Sequence, residues 1–319
     1  MQVRFWGTRG SVPTSITAQD VQDKLIAALL AANGRKFADA NEAKAFTESE
    51  LSFAQRGTYG GSSSCVEMDA GDGDFVVCDM GSGFRAFGID AFQRIAAGRP
   101  KVFNIFLSHL HWDHILGFPF FGPAYDPETT IRFYGGHKEM EVALRRQQET
   151  ISFPVPFDFM SANIEFHPLE PGKAYDIAGY LVRIIRQYHD NDSYGYRFER
   201  DGKCTVYSND SEHNDEDVEA DRAFVEFFDK ADLVIFDTMY TLAESLTMKE
   251  DWGHSSGMIA VDMCHRAAVK RLAMFHHEPI FDDAVLEEHH QDTARYEELM
   301  RGENELEVLC AYDGLEVDL

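Results

Sequence analysis

The chain has 319 residues, 44% hydrophobic and 13% aromatic, which is enough apolar side chain for a sizeable core and excludes a disordered chain. Its formal net charge of −26, from 55 acidic against 29 basic residues, gives a surface that repels polyanions and makes long RNA or DNA a poor partner. No apolar run reaches the roughly 20 residues that span a bilayer, and MQVRFWGTRGSVPT at the start alternates like a strand and lacks a leader's apolar stretch, so a cytoplasmic protein with no membrane partner is expected.

In chain order, β-branched or aromatic runs ending in Gly, Asp, Asn or His predict strands at residues 3–6, 65–68, 75–80, 102–107, 131–134, 181–185, 204–207, 233–236 and 272–275. AQDVQDKLIAALLAANG carries apolar residues at helical spacing and stops at a glycine. SSGMIAVDMCHRAAVKR and DDAVLEEHHQDTARYEELM also read as helices. Strands and helices alternate in both halves with no Pro- or Gly-rich linker, which predicts one α/β domain over residues 1–319. Residues 16–56 are Ala-rich and contain neither His nor Cys. They read as an inserted helical pair between the first two strands: a surface excursion, or alternatively a lid or a homodimerisation element.

Cys65, Cys78, Cys204, Cys264 and Cys310 are odd in number, scattered and without a C-x-x-C pair, which argues against a disulfide framework and against a cysteine zinc site. Buried inert thiols are the expectation.

The stretch LSHLHWDHILGFPFF, residues 107–121, follows the run at 102–107 and sets three histidines and an aspartate within six positions. His109 and His111 are two apart in an extended segment, so both leave one face and can converge on one ion. Asp113 and His114 follow once the chain turns and are free to serve a second. Imidazoles with a carboxylate suit zinc, and also manganese or iron.

This H-x-H-x-D-H loop resembles the signature of the metallo-β-lactamase superfamily, and the chain looks most like its phosphodiesterase side, the branch of ribonuclease Z and the small cyclic-phosphate phosphodiesterases. FWGTRGSVPT is similar to the Gly-rich first turn of those enzymes, and VVCDMGSG, with Asp79, to their strand ending in Asp-x-Gly. QYHDNDSYGYRF resembles the segment in which a metal-binding histidine precedes a Ser-Tyr-Gly-Tyr run. WGHSS followed by VKRLAMFHHEP is similar to the pairing of a Gly-His-Ser-Thr helix start with a later histidine strand. The matches run from residue 2 to about residue 280 and miss the insertion.

The resemblance implies an αββα sandwich, with His109, His111 and His189 holding one ion, Asp113, His114 and His276 a second, and Asp210 bridging both. It also places a general-acid histidine at His254 and lets Asp113 orient the nucleophilic water. Asp210, His189 and His276 each follow strand-like runs, and sites in α/β sheets gather at the carboxyl ends of strands. His276 is favoured over His277, since neighbours in a strand point to opposite faces. Glu212 and His213 read as solvated loop residues; His137, His167, His265, His289 and His290 read as structural.

Two divalent ions sharing a bridging water lower its pKa toward neutrality, and the resulting hydroxide can attack a phosphodiester whose non-bridging oxygens the ions clamp. The chain shows no long Gly/Pro-rich arm of the kind ribonuclease Z uses to grip tRNA. With the net charge, this points to a small phosphodiester or cyclic nucleotide phosphate as substrate. GFPFFGPAYDP reads equally as the wall of a base or sugar pocket and as core packing. In RGTYGGSSSC the backbone N–H groups read first as an ordinary turn and second as a phosphate contact. The alternatives are a thioester or lactone hydrolase, and a non-hydrolytic di-iron sensor or cofactor-biosynthesis protein. His254 separates the first of these, because a thiolate leaves without an acid and an alkoxide does not.

Overall fold

Val3 and Phe5 are fully buried in the first strand while Gln2, Arg4 and Trp6 are half covered, and this alternation fixes which face of the strand meets the core. The computed structural model describes residues 1–71, 73–213, 218–245, 247, 252–302 and 304–319. Its strands are β1 (Gln2–Gly7), β2 (Cys65–Asp69), β3 (Phe75–Cys78), β4 (Val102–Leu107), β5 (Thr130–Gly135), β6 (Asn163–Pro168), β7 (Ala174–Ile177), β8 (Tyr180–Gln187), β9 (Ser193–Arg200), β10 (Lys203–Ser208), β11 (Leu233–Asp237), β12 (Arg271–Phe275), β13 (Glu307–Cys310) and β14 (Glu316–Asp318). They form two seven-stranded mixed sheets, β14-β1-β2-β3-β4-β5-β6 and β13-β12-β11-β10-β9-β8-β7.

The helices are α1 (Ala18–Ala32), α2 (Ala40–Glu50), α3 (Phe53–Arg56), α4 (Phe84–Ala96), α5 (Trp112–Ile115), α6 (Met140–Gln147), α7 (Val218–Phe228), α8 (Leu242–Ser245), α9 (Gly257–Arg266) and α10 (Asp283–Met300). The sheets face one another through Phe5, Val66, Phe106, Tyr196, Tyr207 and Phe275, among others. A second apolar cluster packs α4 and α6 on the outer face of the first sheet. A third packs α7 and α9 on the second. Helix, sheet, sheet and helix thus form four layers, the expected αββα sandwich.

Every run read as a strand is one, and one strand and the helical insertion differ in extent or number from the expectation. The run at 75–80 ends at Cys78, because Asp79 turns into the left-handed region with φ 59°. The predicted helical pair at 16–56 is three helices, α1, α2 and the single turn α3. Thr17 and Asp20 cap α1 reciprocally, and Asn33, at φ 45°, ends it. No α1 residue is buried; Leu25, Leu29 and Leu30 are 60%, 72% and 73% exposed. No described helix is long and apolar enough to cross a membrane.

Candidate metal centre

The histidine loop leaves the carboxyl end of β4, in the middle of the first sheet. His111 is the N-cap of the one-turn helix α5, so His109 and His111 precede the turn while Asp113 and His114 ride on it. The turn is pinned to the strand beside it: Met80 N–H donates to His114 C=O at 2.7 Å, and Gly117 N–H to Met80 C=O at 2.8 Å. The other donors come from the second sheet, His189 after β8, Asp210 after β10 and His276 after β12. Parallel pairing aligns Ser208 with Phe236 and Asp237 with Phe275, which brings those strand ends to one edge.

Asp210 and His276 stand in left-handed backbone, at φ 50° and 59°, as does Asp79. Non-glycine residues in that region cost of order 1–3 kcal/mol each, and such strain persists where the surroundings over-determine it. Two glycines make room. A Cβ on Gly10 would lie 2.6 Å from the His276 ring, and one on Gly253 2.3 Å from His189 Nδ1; Gly253 also has φ +78°.

The structure brings the predicted ligands into two adjoining sets. His109, His111 and His189 have ligand atoms within 4.8 Å of one another, and so do Asp113, His114, Asp210 and His276. Asp210 faces both: its Oδ2 lies 3.5 Å from His109 Nε2, 3.7 Å from His189 Nε2 and 3.4 Å from His114 Nε2, and its Oδ1 3.2 Å from His276 Nε2. Outer partners aim the rings. His189 Nδ1 donates to Gly253 C=O at 3.0 Å, leaving Nε2 free, 3.2 Å from His111 Nδ1. His114 Nδ1 donates at 2.8 Å to Asp79, which also accepts from the Ser108 and Tyr207 hydroxyls, each at 2.7 Å. Losing Asp79 would leave those buried donors unpaired, at about 1–3 kcal/mol each.

These residues fit divalent cations. His109 Nε2, His114 Nε2 and Asp210 Oδ1 are buried without a hydrogen-bond partner, and all point at the shared space. Burial pushes the His109 and His111 imidazoles down, toward the neutral form that a metal takes. Burial opposes the charged form of Asp113 and Asp210, yet the surrounding histidines win and hold both carboxyls below their ordinary range. His114 is pushed up against its burial by Asp113, Asp210 and Asp79. A field that holds a proton there is one that favours a dication.

His254, at the head of the segment leading into α9, donates Nδ1–H to Asp237 Oδ2 at 2.7 Å and stacks on His276 with ring centroids 5.1 Å apart. Burial would lower its pKa, but Asp237 outweighs it and raises the group to about 9. His254 also lies within ligand reach of His189 and Asp210 on one side and of Asp237 and His276 on the other. Asp237 itself is absent from the sequence expectation, although it closes the run at 233–236. Ser11, Leu110, Trp112, Asp113, His189, Asp210, His254 and His276 are among the residues lining an open pocket of about 440 Å³. A larger cleft of about 1130 Å³ adjoins it, sharing Leu110, His111 and Trp112.

Other expectations resolve as follows. His277 turns away from the centre: it is buried, donates Nε2–H to Ala311 C=O at 2.8 Å, and burial lowers its pKa to about 3. Glu212 and His213 do lie in a loop, but both are half-buried and engaged, which corrects their reading as solvated. Glu212 accepts from Gly253 N–H at 2.9 Å, so it braces the His254 loop, and His213 packs on Phe224 and Phe236 with ring centroids 4.5 and 5.1 Å away. His137 and His290 donate Nε2–H to the backbone carbonyls of Asp192 and Val308, and His265 pairs with Glu297, so none of the three belongs to a ligand set. His167 is exposed beside Glu165, and His289 is buried against Phe281. In RGTYGGSSSC the N–H groups of Gly61 and Ser62 donate to the Asp313 carboxylate, so they are already engaged. GFPFF divides: Phe118 and Phe121 are core, and Phe120 is 55% exposed in the larger cleft. All five cysteines are free and buried.

A family model described as the beta-lactamase superfamily domain matches residues 75–277, which include all the clustered donors. Ribonuclease Z of Thermoplasma acidophilum is 26% identical over 258 residues, 63% of this chain and 78% of that protein. The metallo-beta-lactamase fold protein YhfI from Bacillus subtilis superposes with a TM-score of 0.64 at 16% identity, over 99% of this chain and 98% of that one. A diphosphatase from the PhnP family does so with a TM-score of 0.60 at 18% identity, over 100% and 97%. At those identities the two structures bear on the fold, and it is the match over residues 75–277 that assigns the family: the chain belongs to the metallo-β-lactamase superfamily.

Proposed function

We propose that this chain is a dinuclear metal-dependent phosphodiesterase acting on a small phosphodiester or a cyclic nucleotide phosphate. The observation that carries the reading is the buried Asp237–His254 pair, whose imidazole lines the pocket that residues of both donor sets also line. His109, His111 and His189 hold one ion; Asp113, His114 and His276 hold the other; Asp210 reaches both. An imidazole-rich set with carboxylates suits zinc, with manganese or iron also accommodated. When bound, two such ions supply Lewis acidity, an activated water and positive charge for a phosphoryl group.

The chain's own residues do the rest. Asp113, held ionised by His114 and within 3.3 Å of His276, accepts a hydrogen bond from the attacking water and fixes its direction. His254, whose pKa Asp237 raises to about 9, is an imidazolium near neutral pH: its Nδ1–H stays hydrogen-bonded to Asp237 and its Nε2–H is delivered to the departing alkoxide, leaving the ring neutral. A thioester needs no such donor, which favours the diester over the acyl alternative. Ribonuclease Z, the activity named for the Thermoplasma acidophilum relative, is also phosphodiester chemistry. A net charge of −26 supports a small substrate over a long RNA.

Free buried thiols support a cytoplasmic setting. The exposed leucines of α1 support the insertion as a homodimer contact, and no residue of 16–56 lines the metal pocket, so the lid reading gains nothing.

The test is a screen of metal-reconstituted protein against bis-p-nitrophenyl phosphate, cyclic nucleotides and a thioester, with elemental analysis of the same sample. Diester turnover that tracks metal content is expected. Fast thioester cleavage without diester activity would overturn the reading.

A further inference from the structure

Beside the metal pocket, the larger cleft has an unusual wall. Trp112, inside the histidine loop itself, is 80% exposed, and its side chain lines both the cleft and the metal pocket. Phe120 is 55% exposed and stands edge-to-face with Phe153, ring centroids 5.5 Å apart and planes at 89°. The ring wall is reached through Leu110 and His111, which the two spaces share. Exposing an indole to water forgoes its burial energy, and here the exposed indole stands beside the ligands His111 and Asp113. The charged lining of the cleft is mainly acidic: Glu139, Glu149, Asp190 and Asp192 outnumber Arg146.

We infer that this cleft is the seat of a nucleobase, stacked on Trp112 and Phe120, carried by the phosphoryl compound whose phosphorus faces the metal centre. The inference rests on the phosphodiesterase reading and deepens it by naming the substrate as a nucleotide. Three properties select a base. Trp112 and Phe120 are exposed aromatic rings in the cleft, on which a planar base stacks face to face. The volume of about 1130 Å³ exceeds what a lone phosphate or sugar fills and is ample for a base. The acidic lining repels a further run of phosphates, so the cleft takes a single nucleoside and not a continuing strand.

The experiment uses binding, so that it stands apart from turnover. Adenosine 5′-monophosphate and ribose 5-phosphate are titrated calorimetrically into zinc-loaded protein and into chelator-treated protein. Base stacking should make the nucleotide bind roughly tenfold or more tightly than the sugar phosphate in both preparations. Phe120→Ala and Trp112→Leu should each remove most of that difference with metal content unchanged by elemental analysis; Phe120 is the cleaner probe because it lies outside the ligand loop. Equal binding of the two compounds, or variants that keep the wild-type preference, would overturn the inference. Diester turnover without base preference would overturn it and leave the phosphodiesterase reading standing. Base preference without diester turnover would do the reverse, leaving a nucleotide-binding cleft beside a centre of other chemistry.

Discussion

Asp237 Oδ2 accepts the Nδ1 proton of His254 at 2.7 Å, both side chains being buried where β11 meets the start of the α9 segment. The hydrogen bond orients the ring, and the carboxylate holds it cationic by raising its pKa to about 9, so that Nε2 also carries a proton. An imidazolium so held works as a proton donor, and the role is testable through the leaving group.

His254→Ala is expected to slow cleavage of an alkyl or cyclic nucleotide diester by roughly 10²–10⁴-fold. The loss should shrink on a p-nitrophenyl diester, whose leaving group departs as a stable anion. Asp237→Asn should follow the same pattern with a smaller loss, since it disturbs the donor without deleting it. Equal losses on both substrates, with metals still bound, would reduce His254 to a positioning residue.

Fully loaded protein should hold about two divalent ions per chain. His114→Ala should weaken one of them selectively, because His109, His111 and His189 form a set without it. Asp210→Ala should release metal and abolish nearly all turnover, since Asp210 faces both sets. Saturation of the wild type at one ion under excess zinc and manganese would refute the dinuclear assignment; full metal retention by Asp210→Ala would move the bridge to another carboxylate.

Removing the metal should reverse the slope of stability with pH. In chelator-treated protein His254 titrates near 9 against an ordinary 6.5, so the folded state holds a proton that the unfolded chain has released. Its contribution is therefore complete below pH 6.5 and lost as pH rises through about 9; His114, pushed up by its carboxylates, adds in the same sense. In loaded protein the ions displace protons, and their hold strengthens as pH rises. Thermal melts from pH 6.5 to 9 should fall in the first sample and hold or rise in the second, with Asp237→Asn flattening the first. Parallel slopes in both would contradict the account.

How far the site could be read from the chain depended on how local each donor is. His109 through His114 are legible because four donors in six positions have few other uses. His189, Asp210 and His276 stand alone in their neighbourhoods, and the resemblance supplied them; what assembles them is the pairing of β10, β11 and β12, which no local window contains. Asp237 went unread because an aspartate ending a strand looks like any turn starter. His276 faces the centre through its left-handed turn just past β12, where alternation within a strand had been the expected cause. The strands β6, β7, β13 and β14 were missed because they are short or lie at sheet edges, where burial leaves little apolar pattern to read. β9 was missed for another reason: Ser, Gly and arginines interrupt its apolar run although its interior is buried.

The donors descend from both sheets: one loop of the first, three strand ends of the second. Neither half of the chain can display the full constellation by itself. A chain cut between the halves or still emerging presents only a share of the donors, and the complete set exists only once the two halves have closed on each other. Uptake of a full complement of metal should therefore report on assembly, because a chain whose halves fail to close lacks the complete donor set.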